Sequence, residues 1–372
     1  MSVTILLFLL LLLFTGKPRF RKYLPTDGSY LSHERTNLIN AFFIIIIVLR
    51  HIRQQVIPFD GMDELYIHLY EQKAGQSIVS TFFVFSGYGI MMSLMRKKET
   101  YLKELMSKRF VTLYFNMAVC ALVSALTFIV TYTTWDKALW HFVLTCMGLG
   151  GYWFIIMTLV IYITTWSAFS IAGLKRPTTA IILSGVLIYV VCIALIPYKP
   201  GWWLDTELCF PCGMLLALYR EKLDTILSRT KLPILIIGLI MSILGWYLMQ
   251  YCSRVCGAVL YHCDLLTDHS GQAAYIFLYP LCTVVFVLGI TWAFASLTWK
   301  KTNPFLVWLG GPAVFYIFVL HFIAIRAMQA LGWHHTYPQL GILLIVLASL
   351  GLAYIGYKLL PKLDKLIFTR NR

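Results

Sequence analysis

Two histidines stand where a proton could be moved inside an apolar environment. His51 closes the run 41–49 in the order LRHIR over residues 49–53, and His321 lies within YIFVLHF over residues 316–322. An ionisable side chain is costly in hydrocarbon, so its presence at depth points first to function. Imidazole exchanges a proton near neutral pH, which suits a general base. The structural alternative for His51 is an interfacial residue among arginines whose stems lie along apolar surface. His51 falls about 15 residues, and His321 about 17, above the inner end of its own apolar segment, so both imidazoles are expected at one depth in the outer leaflet. Whether they face one cavity is not written in the sequence.

Other residues could support such a base. The loop 52–76 carries Asp60, Asp63, Glu64 and Glu71, and Asp60 is taken as the carboxylate that orients His51. Residues 80–90, STFFVFSGYGI, place Ser86 and Tyr88 among small residues. Small residues in an apolar helix usually serve close packing, and the competing role is an oxyanion donor, shared with Tyr316. Lys108 and Arg109 open another apolar segment, as a positive anchor or as a clamp for an anionic ligand such as a phosphate. Trp153 follows Gly151 and Tyr152, where an interfacial aromatic belt is the inexpensive explanation. WWLDTE over residues 202–207 sets Asp205 and Glu207 two apart, on different faces if helical. Cys209 and Cys212 have redox spacing but sit in an apolar segment, where cysteine is usually a small hydrophobe. Cys252, Cys256 and Cys263 are expected in an outer loop, where a disulfide is one option. His334 and His335 are adjacent, which is poor spacing for a metal, and no metal site is expected.

The elements that must position these residues are membrane spans. Hydrophobic residues make up 59% of the 372, and charged residues 13%, about half of what a soluble chain carries. Ten apolar segments are long enough to cross a bilayer, at about 36–51, 77–95, 109–131, 150–172, 178–196, 202–219, 232–251, 273–297, 304–330 and 339–360. The chain therefore reads as an all-α bundle of about ten spans, facing lipid. Residues 1–33 form a short hydrophobic segment and a basic linker, and residues 34–372 form one membrane domain. The run 3–14 lacks a basic leader region and a small-residue cleavage site, so it does not read as a removable signal. The stretch 138–149 is short and glycine-flanked, as expected of a re-entrant or interfacial segment. Most of the 31 lysines and arginines fall in alternate loops, which places those loops and the C-terminus in the cytoplasm. The net charge of +15 is thereby explained without nucleic acid.

Taken in order, the motifs resemble the acyltransferase-3 family of membrane acyltransferases. The resemblance covers about residues 34–360. It rests on the span ending in His51, FFVFSGY over 82–88, RFVTLY over 109–114, Trp153-Phe154, FPCGMLLA over 210–217 and YIFVLHF over 316–322. It implies a multi-pass protein of a bacterial inner membrane that moves an acyl group, usually acetyl from acetyl-CoA, to a hydroxyl of a surface glycan or lipid-linked sugar. On that reading His51, Asp60, Ser86 and His321 belong to the catalytic centre, with His321 as a second polar wall or acyl relay. Asn40, Lys108, Arg109, Tyr114 and Trp153 belong to the donor site. Two positions depart from the pattern. The basic residue eleven places before the histidine is Asn40, and the second basic residue after Arg109 is replaced by Thr112. A flippase for lipid-linked sugars and an inactive member of the same fold are the alternatives.

Overall fold

In hydrocarbon a long apolar run has no hydrogen-bond partner but itself, so it closes its backbone bonds as a helix. The computed structural model describes residues 3–15, 19–20, 30–55, 61, 64, 75–131, 134–147, 152–199, 201–228, 234–262, 268–298, 303–332 and 336–368. Among these the architecture is an all-α bundle. Its helices are α1 (Val3–Thr15), α2 (His33–Gln55), α3 (Gly75–Glu104), α4 (Val111–Thr131), α5 (Trp135–Cys146), α6 (Trp153–Ala172) and α7 (Pro177–Leu195). They continue with α8 (Cys209–Leu218), α9 (Arg220–Ser228), α10 (Ile234–His262), α11 (Asp268–Ala295), α12 (Pro304–Leu309), α13 (Ala313–Leu331) and α14 (Pro338–Phe368). A two-residue antiparallel pairing joins β1 (Arg19–Phe20) to β2 (Leu297–Thr298).

Among the described residues, 8 helices are long and apolar enough to cross a membrane. One of these, Gln76–Ile129, covers two of the expected segments. It turns back through Lys98, at φ 49°, and a π-helical stretch over Leu105–Phe110. The 13-residue α1 and the 12-residue α5 are too short to be among the crossings. α5 lies against α4 with Trp135 and Trp140 exposed, as an interfacial helix would.

Two expected spans are interrupted. The segment 202–219 does not run as one helix: a 3₁₀ turn at Gly201–Trp203 and an irregular stretch precede the short α8. Asp205 and Glu207 therefore lie on non-helical backbone rather than on a helix face. The segment 304–330 breaks at Gly310 and Gly311 between α12 and α13. A side chain on Gly310 would strike the backbone of Asn37 and Ala41 in α2, so the break lets the two chains touch. Conversely, the expected outer loop at 252–272 is largely helical, and Cys252 and Cys256 lie on α10 as free thiols. Cys263 and the pair His334–His335 lie outside the described residues.

α2 sits at the centre, touching α3, α11, α12, α13 and α14. Of its apolar window 67% is buried, against 22% for the peripheral α10. α3 approaches α8 closely at Gly87 and Gly213, where an added Cβ would meet the carbonyls of Phe210 and Val84. The SGY motif is thus a packing contact, which brings the chain around Trp202 and Asp205 beside the head of α3.

Candidate active site

α2 and α13 run side by side and are tied at two heights. Near the basic end, Asn37 Nδ2 donates to the Val307 carbonyl at 3.3 Å, where α12 leads into α13. At the far end, Gln329 Nε2 donates to the Gln55 carbonyl at 2.6 Å. Between these ties, His51 and His321 meet. His51 Nδ1 lies 2.7 Å from His321 Nε2, and the ring centroids are 4.9 Å apart. Phe322 packs on both rings, with centroids at 4.9 Å from His51 and 4.2 Å from His321.

The hydrogen-bond partners fix the tautomers. His321 is fully buried, and its Nδ1–H donates to the Ile317 carbonyl one turn below, at 2.8 Å. Its Nε2 therefore carries a lone pair, which accepts Nδ1–H of His51. That leaves the lone pair of His51 on Nε2. The arrangement has the logic of a nucleophilic triad's middle and outer members: a buried acceptor holds the outer imidazole in one tautomer and supports the positive charge that forms when it takes a proton.

His51 lines a cavity of about 650 Å³. Its walls include Arg50 and Gln54 from α2, Gln76 and Val79 from α3, Trp153 from α6, Gln250 and Ser253 from α10, Tyr275 from α11, and Phe318 from α13. Trp202 and Asp205 come from the interrupted segment before α8. Gln76 Nε2 donates to Asp205 Oδ1 at 2.9 Å and also to the Trp202 carbonyl. Two residues beyond His51 on α2, Arg53 forms a two-point ion pair with Glu64, at 2.9 and 2.6 Å.

Several expected site residues lie elsewhere. Ser86 is two turns below Val79 on α3, and neither it nor Tyr88 lines the cavity. Tyr88 is hydrogen-bonded to Arg220 at the basic end, so it is no oxyanion donor for His51. Tyr316 does not line the cavity either; its ring packs on that of Tyr357, centroids 6.3 Å apart. Asp60 lies outside the described residues. Trp153, expected with the donor, stands in the cavity wall with its ring 5.6 Å from that of Trp202. At the basic end, Lys108 bonds Glu104 at 2.8 Å, and the Arg109 guanidinium lies 5.2 Å over the Tyr101 ring. The hydroxyl of Tyr114 donates to the Cys146 carbonyl at 3.2 Å, which attaches α5. Thr112, in place of a basic residue, donates to the Asp364 carboxylate at 3.3 Å and links α4 to α14. Cys209 donates its thiol proton to the Pro280 carbonyl at 3.6 Å and is not in a disulfide with Cys212.

A family model described as an acyltransferase domain matches residues 35–358. The chain belongs to the acyltransferase-3 family. The match takes in both histidines, the cavity walls and both ends of the bundle, so this integral membrane protein is a membrane acyltransferase. No curated protein matches the chain, and no solved structure matches it.

Gln54, Gln76, Gln250 and Tyr275 are cavity residues that sequence reasoning missed. Each reads as an ordinary helix-end residue, and no spacing signal marks them out. Their convergence depends on four different helices passing one cavity.

Proposed function

We propose that the acyltransferase moves an acetyl group from acetyl-CoA to a hydroxyl of a surface glycan or lipid-linked sugar, with His51 as general base. The observation that carries this reading is the His51–His321 bond, which leaves the lone pair of His51 on Nε2 at a cavity wall. In the proposed step, Nε2 accepts the proton of the acceptor hydroxyl as its oxygen attacks the thioester carbonyl carbon. The new C–O bond forms, the C–S bond breaks, and the coenzyme A thiolate recovers the proton from the imidazolium. His321 holds the imidazole and shares its charge, a positioning role in place of an acyl relay. Arg50, in the same cavity wall, is the cation nearest in sequence to the base and in the proposed step supports the developing oxyanion.

The donor enters from the basic end, which the lysine and arginine bias places in the cytoplasm. Arg109 and Lys108 lie at that end for the phosphates. Asn40 lies eleven residues before His51 on α2, about 16 Å lower and on nearly the same face. Among the described residues, Asn40 Oδ1 and Asn116 Oδ1 are buried polar atoms with no hydrogen-bond partner. Each leaves a carbonyl oxygen for an amide N–H, and a pantetheine arm carries two amides. An asparagine here replaces charge neutralisation with amide recognition.

The test is acetyl transfer from labelled acetyl-CoA to glycan in membranes containing the protein or its His51→Ala variant. Transfer by the wild type, lost in the variant, is expected. Unaltered transfer by the variant would remove His51 from the mechanism.

A further inference from the structure

We infer that the acceptor is an uncharged, polyhydroxylated sugar ring, seated on Trp202 and read by Asp205 and Gln76. The inference rests on the acyl-transfer reading for what the ligand is, and on separate residues for how it is held. Trp202 is 50% exposed and lines the cavity. Its ring stands edge-on to that of Trp153 at 90°, while the face of neighbouring Trp203 is covered by the Lys199 ammonium at 4.3 Å. An interfacial belt accounts for a tryptophan at this height. It does not account for one whose backbone carbonyl is held by a glutamine that also binds a buried carboxylate.

That carboxylate defines the ligand. Asp205 is 1% exposed, and its partners are neutral: Gln76 at 2.9 Å and the hydroxyl of Tyr275. Among the described residues it forms no ion pair. The two oxygens of this carboxyl group have hydrogen-bonding capacity left over for sugar hydroxyls. The amide oxygen of Gln76, whose nitrogen holds the Trp202 carbonyl, adds a further acceptor. A pyranose fits this pattern, with its C–H face on the indole and its hydroxyls on the carboxylate and amide. An acidic sugar in the same place would bury its carboxylate beside Asp205, whose partners are neutral, whereas recognition of such a group calls for a guanidinium fork. Arg50 lines the same cavity from α2, next to the base.

The prediction can be separated from the transfer reaction. Full-length protein in lipid nanodiscs would be probed by saturation-transfer NMR with methyl glucoside, methyl glucuronoside and methyl glucosaminide. Binding of the neutral glycoside, tenfold or more tighter than either charged one, is expected. Trp202→Ala should weaken it about tenfold or more, and Trp202→Phe by less. Asp205→Asn should weaken it several-fold, and Trp140→Ala, on the exposed face of α5, should leave it unchanged. Preference for the uronate, preference for the amine, or full binding by Trp202→Ala would each overturn the inference. Binding that depends on Trp202 without any acetyl transfer would keep the sugar site and sink the acyltransferase chemistry proposed above. Transfer that survives Trp202→Ala with unchanged acceptor KM would do the reverse.

Discussion

The two ends of the bundle handle polar groups differently. At the far end the groups around the base find partners within the protein, although Gln272 Oε1 on α11 is buried without one. His321 has both ring nitrogens engaged, Gln76 spans two acceptors, and Arg53 is paired with Glu64. At the basic end, the donor groups named above are either exposed, like Arg109 and Lys108, or buried without partners, like the oxygens of Asn40 and Asn116. A buried polar atom left unpaired costs about 1–3 kcal/mol, whereas a paired one does not. The difference teaches that the far end is built before any substrate arrives, as general-base geometry requires, and that the basic end has hydrogen-bonding capacity to offer a ligand.

This contrast can be broken by substitution. The largest effect belongs to His51→Ala, which should lower acetyl transfer about 10³-fold with the protein still folded, as checked by size-exclusion profile and thermal midpoint. A loss under tenfold would show that the preformed end is not the reactive one. His321→Ala should lower kcat about 10- to 100-fold, by analogy with groups that orient a reactive histidine, with little change in either KM. His321→Asn should recover part of that loss, and the pH profile of kcat should change shape, which a merely structural role would not produce. Transfer should also fall on the acid side as His51 takes up a proton and ceases to be a base. Asn40→Ala should raise the KM for acetyl-CoA about fivefold, the size of one net hydrogen bond, with acceptor KM unchanged. Lys108→Ala should change donor KM less than about threefold, because its charge is exposed and already shared with Glu104.

Parts of this arrangement were legible beforehand, for identifiable reasons. The spans that pack as uninterrupted helices, such as α2, α6 and α7, follow from apolar runs alone. His51 and His321 were marked by the cost of an imidazole at depth, and their equal height followed from counting residues along a helix. The SGY motif was marked too, with close packing as its ordinary role, but the partner helix α8 was not, because a small residue looks the same whichever backbone it admits. Asp205 was seen and misplaced: its neighbours are apolar enough to read as one continuous span, and only the fold shows the chain unwinding there.

Sequence by itself determined that this chain lives in a membrane, where most of its apolar spans fall, which ends are basic and which family it resembles. Those properties are sums over local runs of side chains, and lipid enforces them one segment at a time. Tertiary structure alone decided that residue 321 is the partner of residue 51, that Gln54, Gln76, Gln250, a carboxylate and Trp202 line one cavity, and that two expected helices break. Each of those depends on the rotation of one helix against another, and that rotation is set by contacts between residues far apart in the chain, such as Gly310 against Asn37 and Gly87 against Phe210.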